Sequence, residues 1–252
     1  MKKNKSNLIL NLRKKLKRKH SIGSWIQIPS PSLAEIFGSQ GYDWTAVDME
    51  HGPISLESLT DLFRAIENGG SLPFTRVFDL NLENCRRILD AGAAGLIFPQ
   101  IKNANQLKNL ILGCQYPPAG NRGVGFSRAN RFGQNFKKQI KNFKPFMVAM
   151  IENKEAIQNL DKILQVEGLD AIFIGPYDLS ASINVLAKFK SKKFQNILKQ
   201  ILIKSKKYKI PCGIHLVTPD KLDLKKKIKD GYKFIAYSMD TVILREGIKY
   251  PK

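Results

Sequence analysis

The sequence predicts an α/β protein, a (β/α)8 TIM barrel with one extra helix at its N-terminus. Eight short β-rich runs alternate with amphipathic helical stretches from residue 22 onward. Four of the runs, WTAVDM, AGLIFP, FMVAMI and AIFIGP, are almost continuously apolar, as expected for parallel strands covered on both faces. The 252 residues suit one barrel of eight βα units. A doubly wound open sheet is the alternative, but it would need fewer strands or a second domain.

The predicted strands are short runs rich in β-branched, aromatic and small apolar residues. In order they are Ile22 to Ile28, Asp43 to Met49, Leu72 to Val77, Gly95 to Pro99, Phe146 to Ile151, Ala171 to Gly175, Cys212 to Val217 and Phe234 to Met239. Predicted helices between them include Ser55 to Asn68, Leu82 to Ala91, Asn105 to Cys114, Lys154 to Leu164 and Asp220 to Asp230. We assign residues 1–21 to a basic helical arm and residues 22–252 to the barrel. A Gly/Pro-rich stretch, Tyr116 to Gln134, is predicted as a long loop after the fourth strand, and such loops are usually functional.

Charge is unevenly distributed along the chain. The net charge is +21, of which residues 1–19 carry +9 and residues 188–233 carry +12, so the remainder is balanced. The basic excess of the second segment is all Lys, and it contains few aromatic residues, which favours a solvated surface over a polyanion site. We therefore do not expect a nucleic-acid partner. A catalytically inactive barrel that binds polyanions is the remote alternative.

The number and spacing of the cysteines and the length of the apolar runs indicate the cellular compartment of the protein. Cys85, Cys114 and Cys212 are odd in number and lack CxxC spacing, which is typical of reduced thiols rather than of disulfides or a zinc site. The basic N-terminus is followed by a short apolar stretch, Leu8 to Leu12, which is too brief for a signal-peptide core. No apolar run has the length of a membrane span. We expect a cytoplasmic protein without a membrane partner.

Polar residues follow several predicted strands at the end of a TIM barrel where chemistry takes place. Glu152 follows the fifth strand and Asp178 follows the sixth. Together with water and a bidentate substrate, these carboxylates would form the oxygen-rich site that Mg²⁺ or Mn²⁺ prefers. The structural alternatives are that Asp178 caps a helix and that Glu152 is an acid in the first turn of a helix.

The second and third strands end in a further polar group, Asp48, Glu50, His51 and Arg76. A buried guanidinium at Arg76 would require an anion, either a carboxylate of the protein or one of the substrate. Histidine is a common general base in enzymes, so His51 is a candidate for that role. Its structural alternative is a hydrogen-bonded residue of the turn.

Six stretches that contain these residues resemble one known family. They are GYDWTAVDMEHGP at Gly41 to Pro53, LPFTRV at Leu72 to Val77, ILDAGAAGLIFPQI at Ile88 to Ile101, YPPAGNRGVGFSRAN at Tyr116 to Asn130, AMIENKEAIQNLDKIL at Ala149 to Leu164, and GLDAIFIGPYDLSAS at Gly168 to Ser182. The sequence resembles the HpcH/HpaI aldolase family of metal-dependent 2-oxo-acid aldolases. The resemblance implies reversible cleavage of a 4-hydroxy-2-oxo acid to pyruvate and an aldehyde through a metal-stabilised enolate, in a homo-oligomer. Mg²⁺ or Mn²⁺ is the expected metal, with Co²⁺ or Zn²⁺ as further candidates.

The resemblance also implies a role for each site residue. Glu152 and Asp178 match the metal ligands, and His51 matches the catalytic base, acting with Asp90. Arg76 matches the contact to the 2-oxo group. The turn Pro176, Tyr177 and Asp178 matches the site of the substrate carboxylate, Asp48 and Glu50 match supporting acids, and the Gly-rich loop after Tyr116 matches the mouth loop.

Two departures and two alternative chemistries complete the prediction. Met150 stands where glutamine is frequent in the family, and His215 stands where an apolar residue is usual. We expect both to face the aldehyde half of the cavity and to favour a polar, hydroxylated acceptor. The structural alternative is that His215 only bonds a neighbouring loop carbonyl. Decarboxylation of oxaloacetate would use the same enolate. A Schiff-base aldolase would need a lysine on an inner strand, and the predicted strands contain none.

Overall fold

The computed structural model describes residues 4–248 and shows a closed barrel of eight parallel strands in sequential order, in which β1 pairs with β8. The strands are β1 Ser21–Ile26, β2 Trp44–Asp48, β3 Leu72–Arg76, β4 Gly95–Phe98, β5 Phe146–Ile151, β6 Ala171–Ile174, β7 Cys212–Leu216 and β8 Phe234–Met239. The predicted TIM barrel with an extra N-terminal helix is confirmed. Each predicted strand differs from its observed counterpart by at most two residues at either end.

The helices cover the outside of the barrel. They are α1 Lys5–Arg18, α2 Pro31–Ser39, α3 Leu56–Gly69, α4 Leu82–Ala91, α5 Ala104–Cys114, α6 Phe136–Asn142, α7 Lys154–Gln158, α8 Leu160–Ile163, α9 Pro176–Ser182, α10 Lys192–Lys207, α11 Lys221–Asp230 and α12 Asp240–Gly247, with a 3₁₀ turn at Arg128–Asn130. Local sequence fixes where many of them begin, because a Ser, Asn or Asp side chain accepts a free first-turn amide. These capping residues are Asn4, Ser30, Ser55, Asn81, Asn103, Asn153, Ser191 and Asp220.

Aromatic rings fill the amino end of the barrel interior. Trp44 and Phe234 stack with ring centroids 4.3 Å apart, and Phe74 lies 5.4 Å from Phe146. A Cβ on Gly23 would lie 2.1 Å from the Trp44 ring, so glycine on β1 is what admits the indole. This packed layer leaves the carboxyl ends of the strands as the place for a site.

Helix α1 lies across the amino ends of the strands. Its apolar face buries Ile9, Leu12 and Leu16, while its polar face makes ion pairs with the barrel. The Arg13 guanidinium bonds the Asp170 carboxylate at 2.6 and 2.8 Å, just before β6. The division into an arm at residues 1–21 and a barrel at residues 22–252 stays a prediction, since α1 is packed on the strands that follow it.

Two segments singled out by composition lie largely outside the barrel strands. The Lys-rich residues 188–233 form α10 and α11 on the outside of the barrel, with the barrel strand β7 between them. The loop from Tyr116 to Gln134 follows α5 rather than β4 directly, so it begins at the amino end of the barrel. Because α5 first carries the chain back to the amino end of its own barrel, the match of this loop to the family's mouth loop stays a prediction.

Within residues 4–248, no helix combines the length and the apolar character needed to cross a membrane.

Candidate active site

Arg76 and Asp48 form a two-point ion pair where β2 and β3 end. The two residues are direct partners in the parallel register of these strands. Arg76 Nε donates to Asp48 Oδ1 at 2.8 Å, and Nη2 donates to Oδ2 at 2.6 Å. Burial alone would raise the pKa of Asp48, but the hydrogen bonds and positive charge of Arg76 outweigh burial and hold that pKa below its usual value. The pair therefore stays ionised and fixes the guanidinium.

The turn after β2 carries Glu50 and His51, and Asp48 holds this turn as well. Asp48 Oδ1 accepts from the amides of Glu50 at 3.2 Å and His51 at 3.3 Å. Glu50 Oε2 lies 3.0 Å from Arg76 Nη1 and 4.0 Å from His51 Nε2. The His51 side chain is 59% exposed, so its imidazole is open to a substrate. A Cβ on Gly52 would lie 2.4 Å from the Asp48 carbonyl oxygen, which explains the glycine of this motif.

Glu152 and Asp178 bring two further carboxylates to the same region. Glu152 is buried directly after β5, and its Oε1 accepts from the Gln100 amide at 2.5 Å. Burial raises the pKa of Glu152 to about 7, and the negative charges of Glu50 and Asp178 add to the rise. Three carboxylates thus lie close enough to repel one another.

Asp178 does not cap a helix and Glu152 does not lie in the first turn of one, so both structural alternatives are wrong. Asn153 caps α7, which begins after Glu152. The N-cap of α9 is Gly175, and that helix start has no side-chain cap, although Asp178 lies in its first turn. The two acids are therefore available for another positive partner.

A divalent cation suits this donor set. Within residues 4–248, no group of three or more His, Cys, Asp and Glu side chains is arranged to hold a metal ion by itself. Mg²⁺ is commonly bound by one or two carboxylates, with water and substrate oxygens completing its shell. Repulsion between the carboxylates of Glu50, Glu152 and Asp178 would be relieved by such an ion. The residues present fit the metal that the family resemblance implies.

The start of α9 offers backbone donors beside these acids. The first amides of a helix have no intrahelical partner, so the amides of Tyr177 and Asp178 are free to bind an anion, whereas Pro176 has none to give. The Tyr177 ring is half exposed and packs edge-on against Phe189 with centroids 5.0 Å apart.

An aromatic layer lies beneath the charged residues. The Arg76 guanidinium carbon is 4.9 Å from the centroid of the Trp25 ring, within cation–π distance. His215 lies 5.6 Å from Trp25 and 6.5 Å from Phe173, and its Nε2 is 3.3 Å from the Ser238 carbonyl oxygen. Burial lowers the pKa of His215 to about 4, so the imidazole is neutral at neutral pH. The structure thus gives His215 a protein partner within the barrel.

Met150 lies two residues before Glu152 on β5 and is buried. A Cβ on Gly175 would lie 3.3 Å from Met150 Cε and 2.6 Å from Glu152 Oε2. Met150 therefore forms an apolar surface next to the buried carboxylate, and glycine at position 175 leaves room for both side chains.

Comparisons with known proteins show the family of the chain. The sequence pattern of the HpcH/HpaI aldolase/citrate lyase family matches residues 21–246. The chain belongs to that family. It is 37% identical over 231 residues to the hydroxypyruvate/pyruvate aldolase of Roseobacter denitrificans, covering 88% of this chain and 87% of that protein. It is 34% identical over 236 residues to the 2-keto-3-deoxy-L-rhamnonate aldolase of Salmonella typhi, covering 92% and 87%.

A solved structure shows the same architecture. An HpcH/HpaI aldolase/citrate lyase family protein from Burkholderia cenocepacia superposes with a TM-score of 0.88 at 27% identity, covering 94% of this chain and 95% of that one. The family assignment made from the motifs is confirmed. The protein is a carbon–carbon lyase of the aldolase type, as its motifs predicted.

One predicted pair of this aldolase does not meet within a single chain. Asp90 lies in the last turn of α4, at the amino end of the barrel, and its Oδ1 accepts from Arg122 Nη2 at 2.6 Å. His51 lies at the carboxyl end. A strand and its following helix run in opposite directions, so spacing along the sequence does not show that the two residues are a barrel length apart. The Asp90 side chain is nevertheless 45% exposed.

Sequence reasoning missed three residues of the aldolase site. Gln27 Nε2 donates to Asp48 Oδ2, the Gln100 amide donates to Glu152, and Asp240 accepts from the amides of residues 27 and 28. Gln27 and Asp240 follow β1 and β8, so the rule that identified Arg76 could have found both. Gln100 acts through its backbone, at a φ of 51° that is unusual for a residue other than glycine, and no side-chain pattern indicates it.

Proposed function

We propose that the protein is a divalent-metal-dependent aldolase that reversibly cleaves a 4-hydroxy-2-oxo acid to pyruvate and an aldehyde. The observation that carries the proposal is the juxtaposition of the Arg76 guanidinium with the carboxylates of Glu50, Glu152 and Asp178. It supplies fixed positive charge next to a cation-binding group of acids. A developing enolate needs this environment, since its stabilisation depends on positive charge placed in advance.

Glu152 and Asp178 are the residues that would hold the metal, Mg²⁺ or Mn²⁺ by their oxygen chemistry, with Co²⁺ or Zn²⁺ as further candidates. When bound, the ion supplies Lewis-acid polarisation of the 2-oxo group. The metal is tested by removing it with a chelator and restoring activity with each ion in turn. Full activity after chelation would reject this site.

The protein's own groups orient the substrate. Three of the five N–H groups of Arg76 are used by Asp48 and Glu50, which leaves hydrogens for the 2-oxo oxygen. The amides that begin α9 would bind the carboxylate of the 2-oxo acid. His51 would accept the proton of the 4-hydroxyl during cleavage, or of the pyruvate methyl during condensation.

The acceptor aldehyde is proposed to be polar and hydroxylated. The names of the two relatives, a hydroxypyruvate/pyruvate aldolase and a 2-keto-3-deoxy-L-rhamnonate aldolase, support a hydroxylated substrate. His215 and Met150 were the sequence basis of this proposal, and the Ser238 contact of His215 supports a packing role for that ring as well. The test is kcat/KM for hydroxylated, apolar and carboxylated aldehydes with pyruvate and Mn²⁺. A preference for apolar aldehydes would contradict the proposal.

Oxaloacetate decarboxylation is the alternative on the same site. It requires the same enolate but no base for a hydroxyl proton, so it should tolerate loss of His51 far better than aldol cleavage does. Measuring both reactions on the wild type and on His51→Ala ranks the two functions.

We further propose a homo-oligomer in which one copy completes the site of another. Two observations support it: Asp90 and His51 lie at opposite ends of one barrel, and the loop near Asp90 exposes apolar side chains, with Phe126 at 73% and Phe132 at 70%. Large exposed rings on a short segment are typical of interaction surfaces. A second copy could bring Asp90 to His51.

Subunit complementation tests this arrangement. His51→Ala and Asp90→Ala are each expected to be impaired, and mixed dimers should regain one intact site, giving about a quarter of wild-type turnover after random exchange. A monomeric active enzyme, or no recovery after proven exchange, would contradict it.

We also place the enzyme in the cytoplasm. All three cysteines are free and buried, which supports a protein that needs no disulfides. Cell fractionation with an antibody would test this location.

A further inference from the structure

We propose that Gln27 is a positioning residue of this aldolase. It orients Asp48, and through Asp48 it fixes the Arg76 guanidinium toward the 2-oxo acid. The role of Arg76 rests on the proposed function, whereas the hydrogen-bond chain from Gln27 to Arg76 does not.

The backbone of Gln27 is fixed by the last strand–helix junction. Asp240 is fully buried after β8, and its carboxylate accepts from the Gln27 amide at 2.9 and 3.0 Å and from the Ile28 amide at 2.8 Å. The same carboxylate accepts from the Thr241 amide at 2.7 Å. The start of α12 therefore holds the chain just beyond β1 in a defined place.

The side-chain amide of Gln27 has one consistent orientation. Thr241 Oγ1 donates to Gln27 Oε1 at 3.1 Å, and Gln27 Nε2 donates to Asp48 Oδ2 at 2.9 Å. An ionised carboxylate accepts hydrogen bonds and cannot donate them, so the Gln27 NH₂ group must be the end that faces Asp48. Thr241 then satisfies the remaining oxygen.

This bond completes the coordination of Asp48. Its Oδ1 accepts from Arg76 Nε and the two turn amides, and its Oδ2 accepts from Arg76 Nη2 and Gln27. Asp48 has no exposed surface, so water cannot readily replace a lost donor. Removing the Gln27 amide would leave Oδ2 with Arg76 alone and allow the carboxylate and guanidinium to rotate together.

The chain of hydrogen bonds runs from Gln27 through Asp48 to Arg76 and includes neither Glu152 nor Asp178. Gln27 therefore should affect the binding of the 2-oxo acid and leave the affinity for Mn²⁺ unchanged. If Gln27 had only a packing role, its substitution would not weaken binding of the 2-oxo acid while leaving the affinity for Mn²⁺ unchanged.

Three variants and a matched control test the inference. Gln27→Leu keeps the size of the side chain and removes its hydrogen bonds, Gln27→Glu keeps the shape and places a negative charge beside Asp48, and Thr241→Val removes the hydroxyl alone. Gln165→Leu is the control, since Gln165 is exposed and bonds residues 161 and 208 on the outside of the barrel.

The readouts are kcat/KM for pyruvate condensation, calorimetric binding of oxalate in the presence of Mn²⁺, and Mn²⁺ binding alone. Loss of a hydrogen bond to a buried charged group corresponds to about 10- to 100-fold in kcat/KM for Gln27→Leu. Gln27→Glu should be worse, Thr241→Val should lose about threefold, and Mn²⁺ binding should stay at the wild-type value in all of them. Equal kcat/KM in Gln27→Leu, Gln27→Glu and Gln165→Leu would overturn the inference.

Failure of the proposed function gives a different result. In that case the wild type itself would neither bind oxalate nor turn over any 2-oxo acid with Mn²⁺. Crystal structures of Gln27→Leu and Gln165→Leu then decide the positioning role directly. If Arg76 keeps both bonds to Asp48 in Gln27→Leu, the inference is wrong; if the guanidinium leaves one oxygen in this variant alone, the inference holds.

Discussion

The two ends of the barrel handle charge in opposite ways. At the amino end, acids face bases: Arg13 pairs with Asp170 and Lys15 pairs with Asp43 above a stacked aromatic layer. At the carboxyl end, the carboxylates of Asp48, Glu50 and Glu152 surround the Arg76 guanidinium, and Asp178 lies close enough to act on Glu50 and Glu152. Paired charges over a packed core stabilise the fold, whereas a surplus of acids in one place raises the pKa of their carboxyl groups and would favour the binding of a cation.

The largest effect on activity is expected from substitution of Glu152, at the carboxyl end of the barrel. Glu152→Gln keeps the shape of the side chain and removes one charged metal ligand, so kcat/KM should fall by about 10³- to 10⁴-fold, equivalent to several kcal/mol of lost charge stabilisation. Metal affinity, measured by titration with Mn²⁺, should fall in parallel. Turnover that survives while Mn²⁺ affinity collapses would show that the metal does not act where we place it. Thermal unfolding of the metal-free variant serves as the folding control.

A base at His51 predicts a second loss at the same end. His51→Ala should lower aldol turnover by about 10²- to 10⁴-fold, the usual contribution of a general base. Because the side chain is largely exposed, the melting temperature and Mn²⁺ binding should stay near wild type. Near-normal aldol turnover in this variant would show that His51 is not the base and has only a structural role in the turn.

At the amino end, a substitution is expected to lower stability and to leave kcat largely unchanged. Phe234→Ala removes a fully buried ring from the aromatic layer and should lower the free energy of unfolding by about 3 to 5 kcal/mol. Folded Phe234→Ala should keep most of its kcat, because the layer lies below the site. Leu222→Ala, at a position that is 76% exposed, is the control and should change stability by less than about 0.5 kcal/mol. A selective loss of kcat in folded Phe234→Ala would contradict the assignment of stability to the amino end and catalysis to the carboxyl end.

The smallest effect concerns His215, which lies between the two regions. Its pKa of about 4 in the folded protein is below the ordinary value of 6.5, so the unfolded chain binds a proton first as the pH falls. The stability due to the neutral ring is thus complete above pH 6.5 and is lost as the pH falls toward 4, by about 1 to 3 kcal/mol. Denaturant titrations of the wild type and His215→Leu should show a flatter pH dependence in the variant. Parallel curves would mean that His215 is solvated or protonated in the fold.

Sequence patterns predicted the strands well because each strand of a parallel barrel is buried on both faces. Such a strand needs apolar residues at almost every position, and a continuous apolar run is visible in the local sequence. Arg76 and Glu152 could be proposed as site residues for the same reason: Arg76 is the last residue of such a strand, and Glu152 directly follows one. Asp90 shows what local sequence patterns cannot predict. Its motif indicated a role, but the distance between the ends of α4 and the turn after β2 depends on how the strands and helices alternate in space.

The sequence by itself determined the barrel, its family and the presence of ionisable side chains at the ends of the second, third, fifth and sixth strands, because these depend on periodicity and on residues close in the chain. Tertiary structure decided which of those groups meet. Asp48 accepts hydrogen bonds from Gln27, just after β1, and from Arg76 at the end of β3. Gln27 is in turn held by Thr241 after β8, although the chain separates residues 27 and 241 by almost the whole barrel. Closure of β1 on β8 makes them neighbours, and closure is a property of the folded sheet that no local pattern contains.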